Sequence, residues 1–181
     1  MGLRPIAVRS LDAGLRIDRR AIVRALRLLE AGGPPKSART PAPAGRGELS
    51  VVFLTPAALA GLHARFLSDP SETDVITFPG GPGRDIAGEI CISAEAAARF
   101  AARKGRDFSE ELTLYLVHGW LHLAGHDDRS PHRRRAMRRA EARAMSLLRK
   151  AGSIPGFGFR IRSDGRKAPL TSAPRTPRSV P

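Results

Sequence analysis

Thr73-Asp74-Val75-Ile76-Thr77-Phe78-Pro79, a short loop at residues 80–85, and Ile86-Ala87-Gly88-Glu89-Ile90-Cys91-Ile92 together decide the fold. Both runs are apolar and rich in β-branched side chains, as strands are, and Pro79 closes the first of them. A connection this short predicts an antiparallel hairpin. Elsewhere helices separate the strands, so a hairpin at this point makes the sheet mixed.

Working outward, Ser93 reads as the N-cap of an alanine-rich helix reaching about Lys104. Upstream, Leu49 to Leu54 is a strand. Thr55-Pro56 then supplies a cap and a proline at the first helical position, for a helix whose apolar residues are Leu59, Leu62 and Phe66. Before that, Pro5 to Ser10 alternates as a strand does. Asp18 caps a helix with the stripe Ile22, Val23, Ala25, Leu26 and Leu29. Residues 32–47 are rich in proline, glycine, alanine and serine and read as a flexible loop. Downstream, Asp107 or Ser109 caps a helix with Glu110 and Glu111 in its first turn, and that helix stops at Gly125. Ser130-Pro131 starts the last helix, with Met137, Ala140, Ala144 and Leu147/Leu148 on its apolar side. The order β-α-β-α-β-β-α-α-α predicts one α/β (α+β) domain over residues 1–150, with a small four-stranded mixed sheet and about five helices. Residues 151–181 read as a disordered basic tail.

The formal net charge of +14 is concentrated late in the chain. Residues 1–128 are nearly balanced, whereas residues 129–150 carry nine basic side chains and one acidic one. A basic stripe of this kind is the footprint of a polyanion. The arginines it offers are Arg133, Arg134, Arg135, Arg138, Arg139 and Arg143. No apolar run approaches the ~18 residues of a membrane span. Cys91 is the only cysteine, which excludes an intrachain disulfide and a thiolate metal cluster. With no signal-like N-terminal segment, the expectation is a soluble cytoplasmic protein without a membrane partner.

The chemistry-bearing stretch is His118-Gly119-Trp120-Leu121-His122-Leu123-Ala124-Gly125-His126-Asp127-Asp128. Histidines at i and i+4 share one helix face and can point at one ion. A glycine stop then reverses the chain and can bring a carboxylate back as third ligand. That pattern, with a fourth position open, is a catalytic zinc site at a helix C-terminus. Spacing alone leaves Asp127, Asp128, His126 and, more remotely, His132 as rivals for the third ligand. Two histidines beside a helix stop and two aspartates outweigh the plain reading of ordinary helix histidines. In H-E-x-x-H peptidases a glutamate base follows the first histidine. Here Gly119 stands there, which argues against a peptidase. Tyr115 and Glu111 share the helix line of the histidines, while Trp120 lies off it and reads as packing. A metal beside an arginine-rich helix suggests hydrolysis of a nucleic acid.

These residues resemble the YbeY family, bacterial rRNA maturation factors regarded as zinc-dependent endoribonucleases. The family's H-G-x-L-H-L-x-G-Y-D-H motif stands here at residues 118–128, its T-[DN]-V-L-S-F-P strand at residues 73–79, and its G-[DE]-I-x-I-[SC] strand as Gly88-Glu89-Ile90-Cys91-Ile92-Ser93. The resemblance spans roughly residues 5–148 and implies one zinc per chain held by His118, His122 and Asp128. It implies single-strand-specific cleavage of RNA in maturation of the 16S rRNA 3′ end and in ribosome quality control. The implied partner is rRNA within the small ribosomal subunit, and DNA is not expected. Arg134, Arg135, Arg138, Arg139 and Arg84 are the candidate RNA contacts, and no catalytic group is assigned beyond water activated by the metal. Three positions depart from the family. Asp128 replaces its third histidine, which predicts a less acidic water on the metal. His126 replaces its tyrosine. Leu67 stands where the family usually has an arginine, with Arg65 two residues away. That last departure sustains a second reading, an rRNA-binding assembly factor with a largely structural metal.

Overall fold

The computed structural model describes residues 3–32, 47–67, 73–81 and 86–160. In chain order the elements are β1 (Ile6–Ser10), β2 (Leu15–Ile17), α1 (Arg19–Gly32), β3 (Glu48–Leu54), α2 (Pro56–Leu67), β4 (Val75–Pro79), β5 (Ile86–Ser93), α3 (Ala94–Lys104), α4 (Phe108–Leu123), α5 (Pro131–Lys150) and β6 (Phe157–Phe159). The main sheet has the order β1-β3-β5-β4. β1, β3 and β5 run parallel, and β4 pairs antiparallel with β5, Val75 opposite Ile92 and Pro79 opposite Gly88. The hairpin expected from residues 73–92 therefore makes the sheet mixed. Proline ends β4 because it has no amide proton to donate to a further ladder position.

Strand alternation divides the interior into two layers. Leu49, Val51 and Phe53 of β3, with Ile90 and Ile92 of β5, face the larger layer and are fully buried. Against them pack Leu112, Leu116, Trp120 and Leu121 of α4, the stripe Ile22, Ala25, Leu26 and Leu29 of α1, and Met137, Ala140 and Leu148 of α5. Each large aliphatic residue buried in this way stabilises the fold by about 1.5–3 kcal/mol. Among the described residues, the opposite face is covered by α2, through a small cluster of Leu54, Leu59, Ile76 and Cys91. Phe66, expected on the apolar side of α2, is instead 57% exposed. It stands edge-on to Phe78 at 5.3 Å, with the Arg65 guanidinium over its ring.

Two sequence expectations need correction. The disordered tail does not begin at residue 151. Ser153 donates its amide to Leu148 to close α5, and residues 157–159 form β6, antiparallel to β2. Phe157 and Phe159 are buried, and Phe157 lies edge-on to Phe53 at 5.8 Å. The four-stranded mixed sheet and the five helices stand as expected, but the element order lacked two short strands, β2 and β6, which make a separate two-stranded sheet. The flexible-loop reading of residues 32–47 falls, over 33–46, outside the described residues. So do Arg84 and residues 161–181. No helix among the described residues is long and apolar enough to cross a membrane.

Candidate metal centre

α4 begins where Asp107 accepts the Glu110 amide at 2.9 Å, with Glu110 and Glu111 favourably placed in the first turn. It ends in a glycine cap. Gly125 takes φ +88°, a left-handed conformation that glycine adopts without the usual Cβ penalty. Its amide donates to His122 O, and the His126 amide donates to Leu121 O, both at 2.9 Å. This paired bonding is the Schellman arrangement, and it turns the chain back on the helix end. The reversal returns Asp128 to the face carrying His118 and His122.

The three side chains converge. His118 Nε2 and His122 Nε2 are 3.0 Å apart, while Asp128 Oδ2 lies 3.9 Å from the first and Asp128 Oδ1 4.0 Å from the second. Two ligands of one zinc, each bonded at ~2.0–2.2 Å, are separated by at most about twice that length. The histidine pair fits directly, and the carboxylate, whose two oxygens supply the two longer distances, stands on the third side of the same point. The side chains are 29%, 26% and 41% exposed respectively, so the centre opens to solvent.

Proton positions make the donor set specific. His118 Nδ1 lies 2.7 Å from Glu141 Oε1, and His122 Nδ1 lies 3.1 Å from the His126 carbonyl. A carboxylate and a carbonyl only accept, so both Nδ1 atoms carry the proton. In the neutral rings both Nε2 atoms are then lone pairs, facing one another at 3.0 Å beside an aspartate. Such an arrangement is repulsive unless a proton or a metal cation lies among the three donors. Burial, followed by the proximity of His118, pushes the His122 pKa below its ordinary value and favours the neutral, metal-binding ring.

The neighbouring residues point away from the three converging side chains. Asp127 accepts the Arg129 amide at 3.0 Å and pairs with Arg133, and these contacts, the backbone one foremost, hold its carboxyl below the usual range. His126 is buried and contributes its carbonyl, and its Nε2 atom has no hydrogen-bond partner. His132 is exposed on the first turn of α5. Gly119 faces the sheet, since a Cβ there would lie 2.5 Å from Ile90 Cγ2 and 3.1 Å from Val75 Cγ1. Even a glutamate at this position would point into the core, so the peptidase reading fails on orientation as well as identity. Trp120 is buried, as its helix position predicts. Glu111 is also buried and pairs with Arg106 at 3.2 Å rather than joining His118, His122 and Asp128.

Glu141 escaped the sequence reading. Its signal was present, because it is the single acid in the basic stretch and falls at helical spacing from Met137, Ala144 and Leu148 of the buried stripe. Arg134, Arg135, Arg138 and Arg139 are all exposed on the same helix. Arg133, through Asp127, ties the start of that helix to the turn that carries Asp128.

The sequence model of the family described as Endoribonuclease YbeY matches residues 29–149. A protein named Endoribonuclease YbeY from Chlamydia felis is 40% identical over 115 residues, covering 59% of this chain and 73% of its own length. One from Rhodopirellula baltica is 42% identical over 106 residues, covering 57% and 55%. A solution structure of a Thermotoga maritima protein superposes with a TM-score of 0.51 at 22% identity, over 82% of this chain and 94% of that one, and shares the fold. The matched span takes in the three converging ligands, the glycine turn and most of the sheet, and the chain belongs to the YbeY family of endoribonucleases.

Proposed function

We propose that the protein is a zinc-dependent, single-strand-specific endoribonuclease of the cytoplasm that acts in rRNA maturation at the 16S rRNA 3′ end and in ribosome quality control. The observation that carries this reading is the pair of inward-facing Nε2 lone pairs beside Asp128, in a chain of an endoribonuclease family. His118, His122 and Asp128 would hold one zinc ion. When bound there, zinc supplies a Lewis acid able to acidify water or polarise a phosphoryl oxygen. The protein's own groups prepare that position. Glu141 and the His126 carbonyl fix the imidazole tautomers, and the glycine turn sets the carboxylate. The exposed arginines of α5 hold phosphates by charge, with little sequence preference.

A second reading, an rRNA-binding assembly factor with a largely structural metal, is favoured by Leu67 at the family's usual arginine position; its side chain lies outside the described residues. One comparison separates the two. Wild type and His118→Ala are assayed for bound zinc and for cleavage of single-stranded rRNA fragments. The nuclease reading expects cleavage that vanishes together with the metal. Equal residual cleavage in both proteins, with RNA binding retained, favours the assembly factor.

A further inference from the structure

A cavity of about 310 Å³ adjoins the metal centre on the far side of His118, lined by Thr73, Asp74, Val75, Leu114, Tyr115, His118 and Glu141. It is at the small end of the range for ligand sites, large enough for one compact group. Its side-chain protons are already committed. Tyr115 is hydrogen-bonded to Asp74, and the Thr73 hydroxyl donates to the Val75 carbonyl at 3.3 Å. His118 Nδ1 donates to Glu141. What these side chains leave to an incoming group is therefore acceptors: the remaining lone pairs of the Asp74 and Glu141 carboxylates and of the Thr73 oxygen. The rest of the wall is apolar, formed by Val75, Leu114 and the Tyr115 ring.

This lining selects by chemistry. Two carboxylates with no cation among the lining residues repel a phosphate. A hydrated divalent ion fits poorly against Val75 and Leu114, and His118, His122 and Asp128 are the one set of three metal-ligating side chains found among the described residues. A neutral planar group that brings N–H donors fits both the apolar wall and the acceptors. We propose that the cavity is a nucleobase subsite. It would take an unstacked base next to the phosphate at the metal and prefer guanine, whose adjacent N1–H and N2–H groups a carboxylate can accept together. Asp74, half-oriented by Tyr115, is the specificity-determining residue. Single-stranded RNA is commonly read in this manner, through splayed bases bonded on their Watson–Crick edges. The inference rests on the RNA-cleaving reading of the metal centre.

The test measures equilibrium binding of zinc-loaded protein to short oligouridylates, in the cold and over a time in which no product forms. One oligomer is all uridine, one carries a single central guanosine, and one carries inosine there, which lacks the N2 amino group. The guanosine oligomer is expected to bind about tenfold tighter than the all-uridine one, as suits a bidentate base contact, with inosine between them. Asp74→Asn places an amide donor where an acceptor stood and should abolish the preference. Asp74 is exposed, so the variant should fold. Leu114→Trp, which fills the cavity without changing charge, should do the same. Equal affinities for the three oligomers in wild type overturn the subsite while leaving the nuclease reading intact. A preference that survives in both variants also overturns it, as does loss of a second zinc equivalent in Asp74→Asn. Absence of binding to every oligomer overturns the nuclease reading itself.

Discussion

Glu141 holds a proton on His118 Nδ1 and thereby leaves Nε2 as a lone pair able to bind a metal ion. Acidic partners of ligating histidines raise ligand basicity and fix ring orientation. In Glu141→Gln the amide oxygen can still accept the Nδ1 proton, but the charge is lost. Zinc affinity, read by competition with a chromophoric chelator, should fall by about 10–100-fold. An unchanged affinity would make Glu141 merely a packing residue. The choice among acidic neighbours has a similar local origin. Spacing left Asp127 and Asp128 as rivals, and only the structure shows Asp127 tied outward to Arg133 and the Arg129 amide. Cys91 illustrates the opposite case, a residue whose role burial alone decides. Burial first, then the Glu89 charge, push its thiol up to about 12. At neutral pH it stays protonated, so alkylating reagents should modify the native protein no faster than it opens. Rapid labelling of the folded state, followed by mass spectrometry, would contradict this.

At the scale of elements, α4 carries both the centre of the core and two of the three candidate metal ligands, and Gly119 is where the two demands meet. The helix can approach β4 and β5 closely because no Cβ intervenes at this position. Alanine would gain up to ~1 kcal/mol in helix propensity. Its Cβ, however, would meet the methyl of a β-branched Ile90 that is itself fully buried and cannot swing aside. Overpacking of this kind costs typically ~1–3 kcal/mol. Gly119→Ala should therefore lower the chemical-denaturation midpoint, and it should weaken zinc binding by shifting the histidine line away from Asp128. A raised midpoint would show that the helix backs off freely. Much of this element was legible: a cap at Asp107 or Ser109, of which the structure takes Asp107, the stop at Gly125 and the shared face of His118 and His122 follow from spacing and turn chemistry. The reason for Gly119 was not, because sequence shows a missing side chain but not the strand against which it would clash. Phe66 misled for a related reason. It lies on the correct side of α2, but that side covers only a four-residue cluster and runs out before its last turn.

For the molecule as a whole, the unexpected element is the closure made by β2 and β6, brought together from opposite ends of the described chain. Each is three residues long and neither is flanked by a hairpin turn, so local pattern had no means of pairing them. A proline- and glycine-rich composition around residues 152–158 pointed instead to disorder. Yet Phe157 and Phe159 are 4% and 6% exposed, and both pack against Phe108. Losing one buried phenylalanine costs about 3–5 kcal/mol. Losing both approaches the whole stability of a typical domain, about 5–15 kcal/mol. Truncation after Lys150, the boundary that composition suggested, should therefore leave a chain that is unfolded or aggregated at ordinary temperature. Truncation after Arg160 keeps the rings in place and should melt at the full-length temperature. The removed segment still carries most of the terminal basic charge. On the RNA-binding reading, the shorter protein should therefore bind single-stranded RNA with a shallower dependence of affinity on salt, each lost phosphate contact reducing the slope by roughly 0.7. Thermal melts of the two truncations, with salt titrations of the one that folds, separate the structural end of the chain from its electrostatic end. Equal melting temperatures for both truncations would remove β6 from the fold, and an unchanged salt slope would remove residues 161–181 from the RNA contact.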